Sequence, residues 1–210
     1  MAQTRRTVLA AALGPLAAGA AGLTGCSAEE PDPGPAPGPE RPADALIMLI
    51  RHAEKPYAGD VGEDDEGNDD PGSLAGRGRR RAEALPGLFP PARRAALPAP
   101  ATLFAPAGPL ARSRQTLAPL AEELGLPIRA EIPPGREAAL ARAALAARTP
   151  VLICWEHTGF PRLVRALGAA GVTSVPAGWP DRYDLVWILT RRRAVWSFRE
   201  MGQHLLPGDA

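Results

Sequence analysis

Two histidines in this 210-residue sequence each follow a run of large apolar residues almost directly. Arg51-His52 comes after the five residues LIMLI, and Glu156-His157 comes after VLICW. A neutral imidazole is a competent nucleophile, and a guanidinium binds phosphate oxygens through planar, paired donors. If the fold brings them together, a cation and an imidazole would stand side by side on rigid support.

The two apolar runs predict two strands of one parallel sheet, because runs of this kind are typical of strands that are buried on both faces. In open α/β sheets, ligands bind beyond the carboxyl ends of the strands. We therefore expect His52 and His157 at the same, ligand-binding edge. Pro161 is well placed for the first turn of a helix, so the second histidine stands between a strand and a helix start.

A third segment supplies arginines next to another helix start. Residues 101–105 predict a strand, and the sequence PLARSRQT, which contains Arg112 and Arg114, then opens a helix that ends at Gly125. A guanidinium at a helix start suits phosphate, because its planar donors are joined by unpaired backbone N–H groups. This segment is therefore a candidate phosphate-binding element.

Three separated motifs resemble, in the same order, those of the histidine phosphatase superfamily, the phosphoglycerate-mutase-like enzymes. They are Arg-His-x-Glu at 51–54, PLARSRQT at 109–116 and Trp-Glu-His at 155–157, and the resemblance spans residues 45–209. It implies an α/β fold, a three-layer sandwich with a mostly parallel central sheet flanked by helices. One departure is Gly108, where the family has serine.

The resemblance also implies a role for each matched residue. His52 is the nucleophile that takes up a phosphoryl group, and the reaction is hydrolysis of a phosphorylated small molecule or phosphoprotein. The residues implied to bind the phosphoryl oxygens are Arg51, Arg112 and His157. Glu54 and Arg114 are weaker substrate-binding candidates. The resemblance implies no metal and no other cofactor.

The proton donor to the leaving group is left open by the resemblance. The acid-phosphatase branch has an aspartate after its second histidine, where this chain has Thr158. Glu131, at the end of a predicted strand, and Glu156 are the two candidates, although strand alternation would point Glu156 away from the pocket. Without an obvious acid, a non-catalytic phosphate- or phosphoester-binding lipoprotein remains an alternative, and a phosphomutase is a third.

The first 26 residues resemble a bacterial export signal rather than a folded element. Arg5-Arg6 is similar to a twin-arginine signal, and the weakly apolar run behind it ends in LTGC. This ending resembles a lipobox, in which Cys26 would carry a diacylglycerol. A plain transmembrane anchor is the alternative, although Pro15 interrupts the run. We expect an exported lipoprotein at the outer face of the bacterial cytoplasmic membrane.

The remainder of the chain predicts a linker and one domain. Residues 27–43 are rich in proline, which favours an extended spacer, and residues 44–210 form the histidine-phosphatase-like domain. The formal net charge of +1 gives no indication of nucleic-acid binding. Three scattered histidines and two cysteines lack the spacing of a zinc site.

Three charged or apolar segments complete the prediction. The acidic residues 59–70 predict a solvated, mobile loop over the site, and the arginines of 77–81 predict the outer face of a helix. Residues 183–189 and 194–198 flank three arginines and predict a hairpin at the edge of the sheet.

Overall fold

The computed structural model describes residues 43–64, 66–90 and 97–210. The predicted export signal, its lipidation site Cys26 and all of the predicted linker except Ala43 lie outside these ranges. The elements of the described part are β1 (Ala45–Arg51), α1 (Gly76–Ala84), a 3₁₀ helix (Leu85–Leu88), β2 (Thr102–Phe104), α2 (Arg112–Leu124), β3 (Ile128–Arg129), α3 (Glu137–Ala146), β4 (Val151–Trp155), a second 3₁₀ helix (His157–Gly159), α4 (Phe160–Ala166), β5 (Leu185–Arg192) and β6 (Val195–Gly202). Within the described ranges, no helix has both the length and the apolar character needed to cross a membrane.

The six strands form one sheet in the order β3-β2-β4-β1-β5-β6. The first four in this order run parallel, whereas β5 is antiparallel to β1 and β6 is antiparallel to β5. β5 and β6 are the predicted hairpin, and both turn residues, Arg193 and Ala194, have positive φ values, 48° and 71°. Turns of this kind match the right-handed twist of paired strands. The prediction of a mostly parallel sheet is confirmed.

Helices cover both faces of the sheet, because alternate strand side chains point into two separate cores. On one face α2 packs on side chains that include Met48 and Ile50, and α1 packs on α2. On the other face α3 and α4 pack on side chains that include Ile47 and Leu49. The predicted three-layer α/β sandwich is therefore confirmed.

One of the two charged segments differs from its prediction. Arg81 of α1 does not lie on an outer face but is 3% exposed, because its Nη2 donates to carboxylates of Glu54 and Asp209, both at 2.8 Å. The described part of the acidic segment, residues 59–64 and 66–70, is mostly exposed, which agrees with the predicted solvated loop, and its mobility and its position over the site stay predictions. Within this segment, the Asp60 carboxylate accepts a hydrogen bond from the backbone N–H of Gly76 at the start of α1.

Candidate active site

A cavity opens where β1 and β4 end side by side. The two strands are parallel neighbours in a register that pairs Arg51 with Trp155, so the residues that follow them are neighbours as well. The cavity has a volume of about 180 Å³. Its lining consists of Arg51, His52, Lys55, Pro106, Leu110, Arg112, Ser113, Glu156, His157 and Thr158. All four residues predicted to act on the phosphoryl group are thus brought together.

His52 is held as the tautomer that a nucleophile needs. It is 9% exposed, and its Nδ1 lies 2.7 Å from the carbonyl oxygen of Ala53. A carbonyl oxygen can only accept, so Nδ1 carries the proton and Nε2 keeps its lone pair. The backbone of Ala53 is itself fixed, because its N–H donates to Thr116 Oγ1 at 2.9 Å. Burial, with smaller contributions from Arg112 and Arg51, lowers the pKa of His52 to about 4, so the ring is neutral at pH 7.

Arg112 reaches the cavity from the start of α2. It is the first residue of this helix, whose opening N–H groups have no carbonyl partner within the helix. Residues two positions apart on a helix are separated by about 200°, so they point in nearly opposite directions. Arg112 lines the cavity, whereas Arg114 donates from Nη1 to the carbonyl oxygen of Gly108 at 3.0 Å. Only the first of the two arginines therefore faces the site.

Arg51 lines the same cavity, but its guanidinium is directed at the segment before β5. Nη1 donates to Asp181 Oδ1 at 3.0 Å, and Nη2 donates to the Tyr183 hydroxyl at 3.3 Å. The Tyr183 ring centroid lies 4.1 Å from Cζ. Arg51 is 3% exposed, and its Nε has no hydrogen-bond partner among the described residues. A buried donor without a partner is costly, so the protein's own groups do not fully satisfy Arg51.

Glu156 and His157 follow β4 at the start of a 3₁₀ helix. Burial and the nearby Arg51 lower the pKa of His157, so its ring is neutral near pH 7 and one ring N–H can donate. Glu156 lines the cavity, although strand alternation predicted that it would point away. Glu156 still has an extended backbone, and the second 3₁₀ helix begins at the next residue, so Glu156 lies at the cavity edge where β4 turns into that helix.

Three weaker candidates lie outside the cavity lining. Glu131 is exposed and follows β3. Two strands, β2 and β4, lie between β3 and β1, so β3 and β1 are about 14 Å apart at the usual strand spacing. Glu54 is 8% exposed and pairs with Arg77 and Arg81. Arg114 is turned away, as described above. None of these three side chains belongs to the cavity lining.

Several residues at or next to the cavity were not predicted from the sequence. Lys55 and Ser113 line it, and Asp181 and Tyr183 contact Arg51. Lys55 directly follows the first motif and is the only lysine in the chain, so its position was a usable signal. Asp181 and Tyr183 gave none, because 130 residues or more separate them from Arg51.

The arrangement suits a phosphoryl group. Three side chains of the lining are basic and one is acidic, so the cavity attracts anions. A neutral imidazole and two guanidiniums supply a nucleophile and donors within one small volume. Among the described residues, no cluster of three or more histidine, cysteine or acidic side chains could hold a metal ion.

No protein-family model matches the chain, and no curated protein has a significantly similar sequence. Several solved structures have a similar chain path. One is the mycobacterial glucosyl-3-phosphoglycerate phosphatase in complex with VO3, which is 16% identical in sequence with a TM-score of 0.46. This match covers 76% of this chain and 98% of that one. A protein assigned as phosphohistidine phosphatase SixA from Agrobacterium tumefaciens is 22% identical with a TM-score of 0.43, over 75% of this chain and 97% of that one. A variant of the Entamoeba histolytica phosphoserine phosphatase, in complex with phosphoserine, is 13% identical with a TM-score of 0.45, over 77% of this chain and 100% of that one. Similarity of this size does not assign a function to the chain.

Proposed function

We propose that this protein is a histidine-type phosphatase that hydrolyses phosphomonoesters through a phosphohistidine intermediate on His52. The observation that carries the proposal is the hydrogen bond from His52 Nδ1 to the carbonyl oxygen of Ala53. It leaves Nε2 with its lone pair in a buried position beside a cavity with cationic walls. A carbonyl acceptor fixes the tautomer without adding a charge, so the imidazole remains a neutral nucleophile.

In the first half-reaction, Nε2 of His52 attacks phosphorus, and the N–P bond forms as the bond to the leaving oxygen breaks. The leaving oxygen takes up a proton and departs as an alcohol. Arg51, Arg112 and His157 donate to the non-bridging oxygens, where charge is redistributed in the transition state. One such donor is worth about 3 kcal/mol in catalysis.

In the second half-reaction, water attacks phosphorus opposite Nε2 and the N–P bond breaks. Its electron pair returns to His52, and inorganic phosphate is released. Glu156 is the carboxyl group of the cavity lining. We assign it to donate the proton to the leaving oxygen and then to accept one from the attacking water, as one carboxyl group can do in both directions.

The size of the cavity indicates which part of the substrate it holds. Its volume of about 180 Å³ is smaller than that of pockets that enclose whole drug-sized ligands, which is roughly 300–1,000 Å³. It therefore fits the phosphoryl group, and the remainder of the substrate projects toward solvent. Either a phosphorylated small molecule or a phosphoprotein meets this requirement.

A panel assay tests the proposed activity. The protein is incubated with phosphomonoesters, phosphohistidine peptides and polyphosphate, and the release of inorganic phosphate is measured. We expect release from at least one class, its loss in His52→Ala, and its retention in His204→Asn, which changes an exposed histidine outside the cavity. If the protein binds phosphate but releases none, even from an activated aryl ester, the phosphatase proposal fails and a phosphate-binding lipoprotein takes its place.

We infer that the enzyme acts outside the cytoplasm, held at the outer face of the bacterial cytoplasmic membrane by a lipid on Cys26. The twin arginines, the LTGC ending and the proline-rich residues 27–43 support this location. A Cys26→Ser variant should lose the lipid and leave the membrane fraction, because one lost anchor removes most of the binding. A variant that stays firmly in the membrane fraction would instead indicate a membrane-spanning segment.

A further inference from the structure

A short segment between α4 and β5 holds a carboxylate beside the candidate active site. Residues 179–184 begin with Trp179, whose ring packs on Trp187 with centroids 4.9 Å apart. They end with Asp184, which is 6% exposed and accepts from the backbone N–H of Ala210. Both ends of the segment are therefore anchored. Between them, the Asp181 side chain is 95% exposed.

Asp181 is bound to an arginine that lines the cavity. Its Oδ1 accepts from Arg51 Nη1 at 3.0 Å, and this hydrogen bond lowers the pKa of the Asp181 carboxyl, so the group is charged near pH 7. The same charge acts on the rest of the cavity, because it partly offsets the lowering of the His157 pKa by burial and Arg51. Asp181 thus places a negative charge next to the site that we propose binds a phosphate dianion.

This carboxylate has two effects of opposite sign on phosphate binding. As a partner of Arg51 it holds the guanidinium in place, and as an anion it competes with phosphate. The first effect is small, because ion pairs with an exposed member contribute little, and the Tyr183 hydroxyl also holds Arg51. The second is larger, since a unit charge beside a dianion changes binding by roughly tenfold even in water-like surroundings.

We propose that Asp181 sets the affinity of the site for phosphate by competing for Arg51 as an intramolecular anion. The inference rests on the proposed function, because it requires a phosphoryl group in this cavity. On binding, Arg51 Nη1 passes from Asp181 Oδ1 to a phosphoryl oxygen, and the exposed carboxylate turns to water. Inorganic phosphate is consequently held less tightly, which favours its release after turnover.

The inference is tested by calorimetric titration of the full-length protein with inorganic phosphate. The Asp181→Asn variant keeps the size of the side chain and removes its charge. We expect its Kd for phosphate to be about tenfold lower than that of the unchanged protein. The inhibition constant of phosphate against an activated aryl ester should fall by the same factor, with no gain in kcat. Because Asp181 is exposed, the difference should shrink at high salt.

Glu123→Gln is the matched control, because Glu123 is an exposed carboxylate of α2 outside the cavity lining. It removes one negative charge from the protein without touching Arg51, and its Kd for phosphate should not change. An equal decrease in both variants would mean that net charge, not the position of Asp181, is responsible, and would overturn the inference.

Two further outcomes of the Asp181→Asn titration would also overturn it. A Kd that is unchanged or higher would show that holding Arg51 in place outweighs competition. A large loss of kcat on alkyl esters, with aryl esters spared, would identify Asp181 as the proton donor. If the unchanged protein binds no phosphate at millimolar concentration, the proposed function itself fails, and this result is distinct from the other two.

Discussion

His52 and His157 follow neighbouring parallel strands, yet their surroundings differ. His52 is 9% exposed, and its Nδ1 donates to a backbone carbonyl, which decides where the free lone pair lies. His157 is less buried and stands on a 3₁₀ helix beside a carboxyl group. Its place at the end of a strand brings a histidine to the site. The hydrogen bond made by one ring nitrogen then determines whether the other ring nitrogen carries a free lone pair or a proton.

The largest effect should come from His52→Ala. This change removes the nucleophile, so kcat on p-nitrophenyl phosphate should fall by about 10,000-fold or more, as for other covalent catalysts. His157→Ala removes one hydrogen-bond donor to the phosphoryl oxygens and should lower kcat by about 100-fold. Steady-state kinetics of both variants test the comparison directly. A larger loss of kcat in His157→Ala than in His52→Ala would mean that His157 is the nucleophile and His52 the donor.

The arginines at the start of α2 offer the second comparison. Arg112→Ala should lower kcat/KM by about 100-fold, because the guanidinium stabilises charge in the transition state. Arg114→Ala should change kcat/KM by less than about threefold, since that side chain is bound to the carbonyl oxygen of Gly108. The measurement is kcat/KM on one phosphomonoester for both variants. If the two losses came out reversed, Arg114 would be the phosphate-binding residue.

A third effect should depend on the leaving group. Glu156→Gln should slow the hydrolysis of alkyl phosphates by about 100-fold and that of aryl phosphates much less, because a good leaving group needs no proton. Glu131→Gln is the control and should leave both rates unchanged, since Glu131 is exposed beyond the far edge of the sheet. An equal decrease in the hydrolysis rates of alkyl and aryl phosphates would show that Glu156 does not donate the proton to the leaving group.

The smallest signal is the titration of the His52 ring. Its pKa is lowered by burial from 6.5 to about 4, so its NMR signals should hardly shift between pH 8 and pH 6. As the pH falls, His52 is protonated in the unfolded chain before it is protonated in the folded protein. The free energy of unfolding that depends on the neutral ring is therefore lost as the pH falls from about 6.5 toward about 4. Loss of the signals in His52→Ala assigns them. A midpoint near 6.5 would show that the ring is solvated, contrary to the structure.

The sequence predicted those parts of the site that depend on local features. His52, Arg112 and His157 each stand at the end of a strand or the start of a helix, and the apolar runs that mark those ends were visible. The same runs predicted the parallel strands, and the family resemblance implied the three-layer fold. The family resemblance also placed Arg112 ahead of Arg114, and only Arg112 lines the cavity, because helix positions two apart point in nearly opposite directions.

The parts that could not be predicted depend on contacts between distant residues. The burial of Arg81 requires Glu54 and Asp209, which are 27 and 128 positions away. The orientation of Arg51 requires a segment 130 residues later in the chain. Glu156, one of the two candidate proton donors, was expected to point away from the pocket but lines the cavity where β4 turns into the second 3₁₀ helix.

The most direct test of the central claim is to trap the phosphoryl group on the protein. A phosphohistidine is labile in acid and stable in alkali, so the reaction with an activated aryl phosphate must be quenched rapidly at high pH before mass spectrometry. We predict one phosphoryl group on His52, its absence in His52→Ala, and a weak but detectable label on His52 in His157→Ala. Hydrolysis without any label, or a label on His157 instead, would contradict the assignment of His52 as the nucleophile.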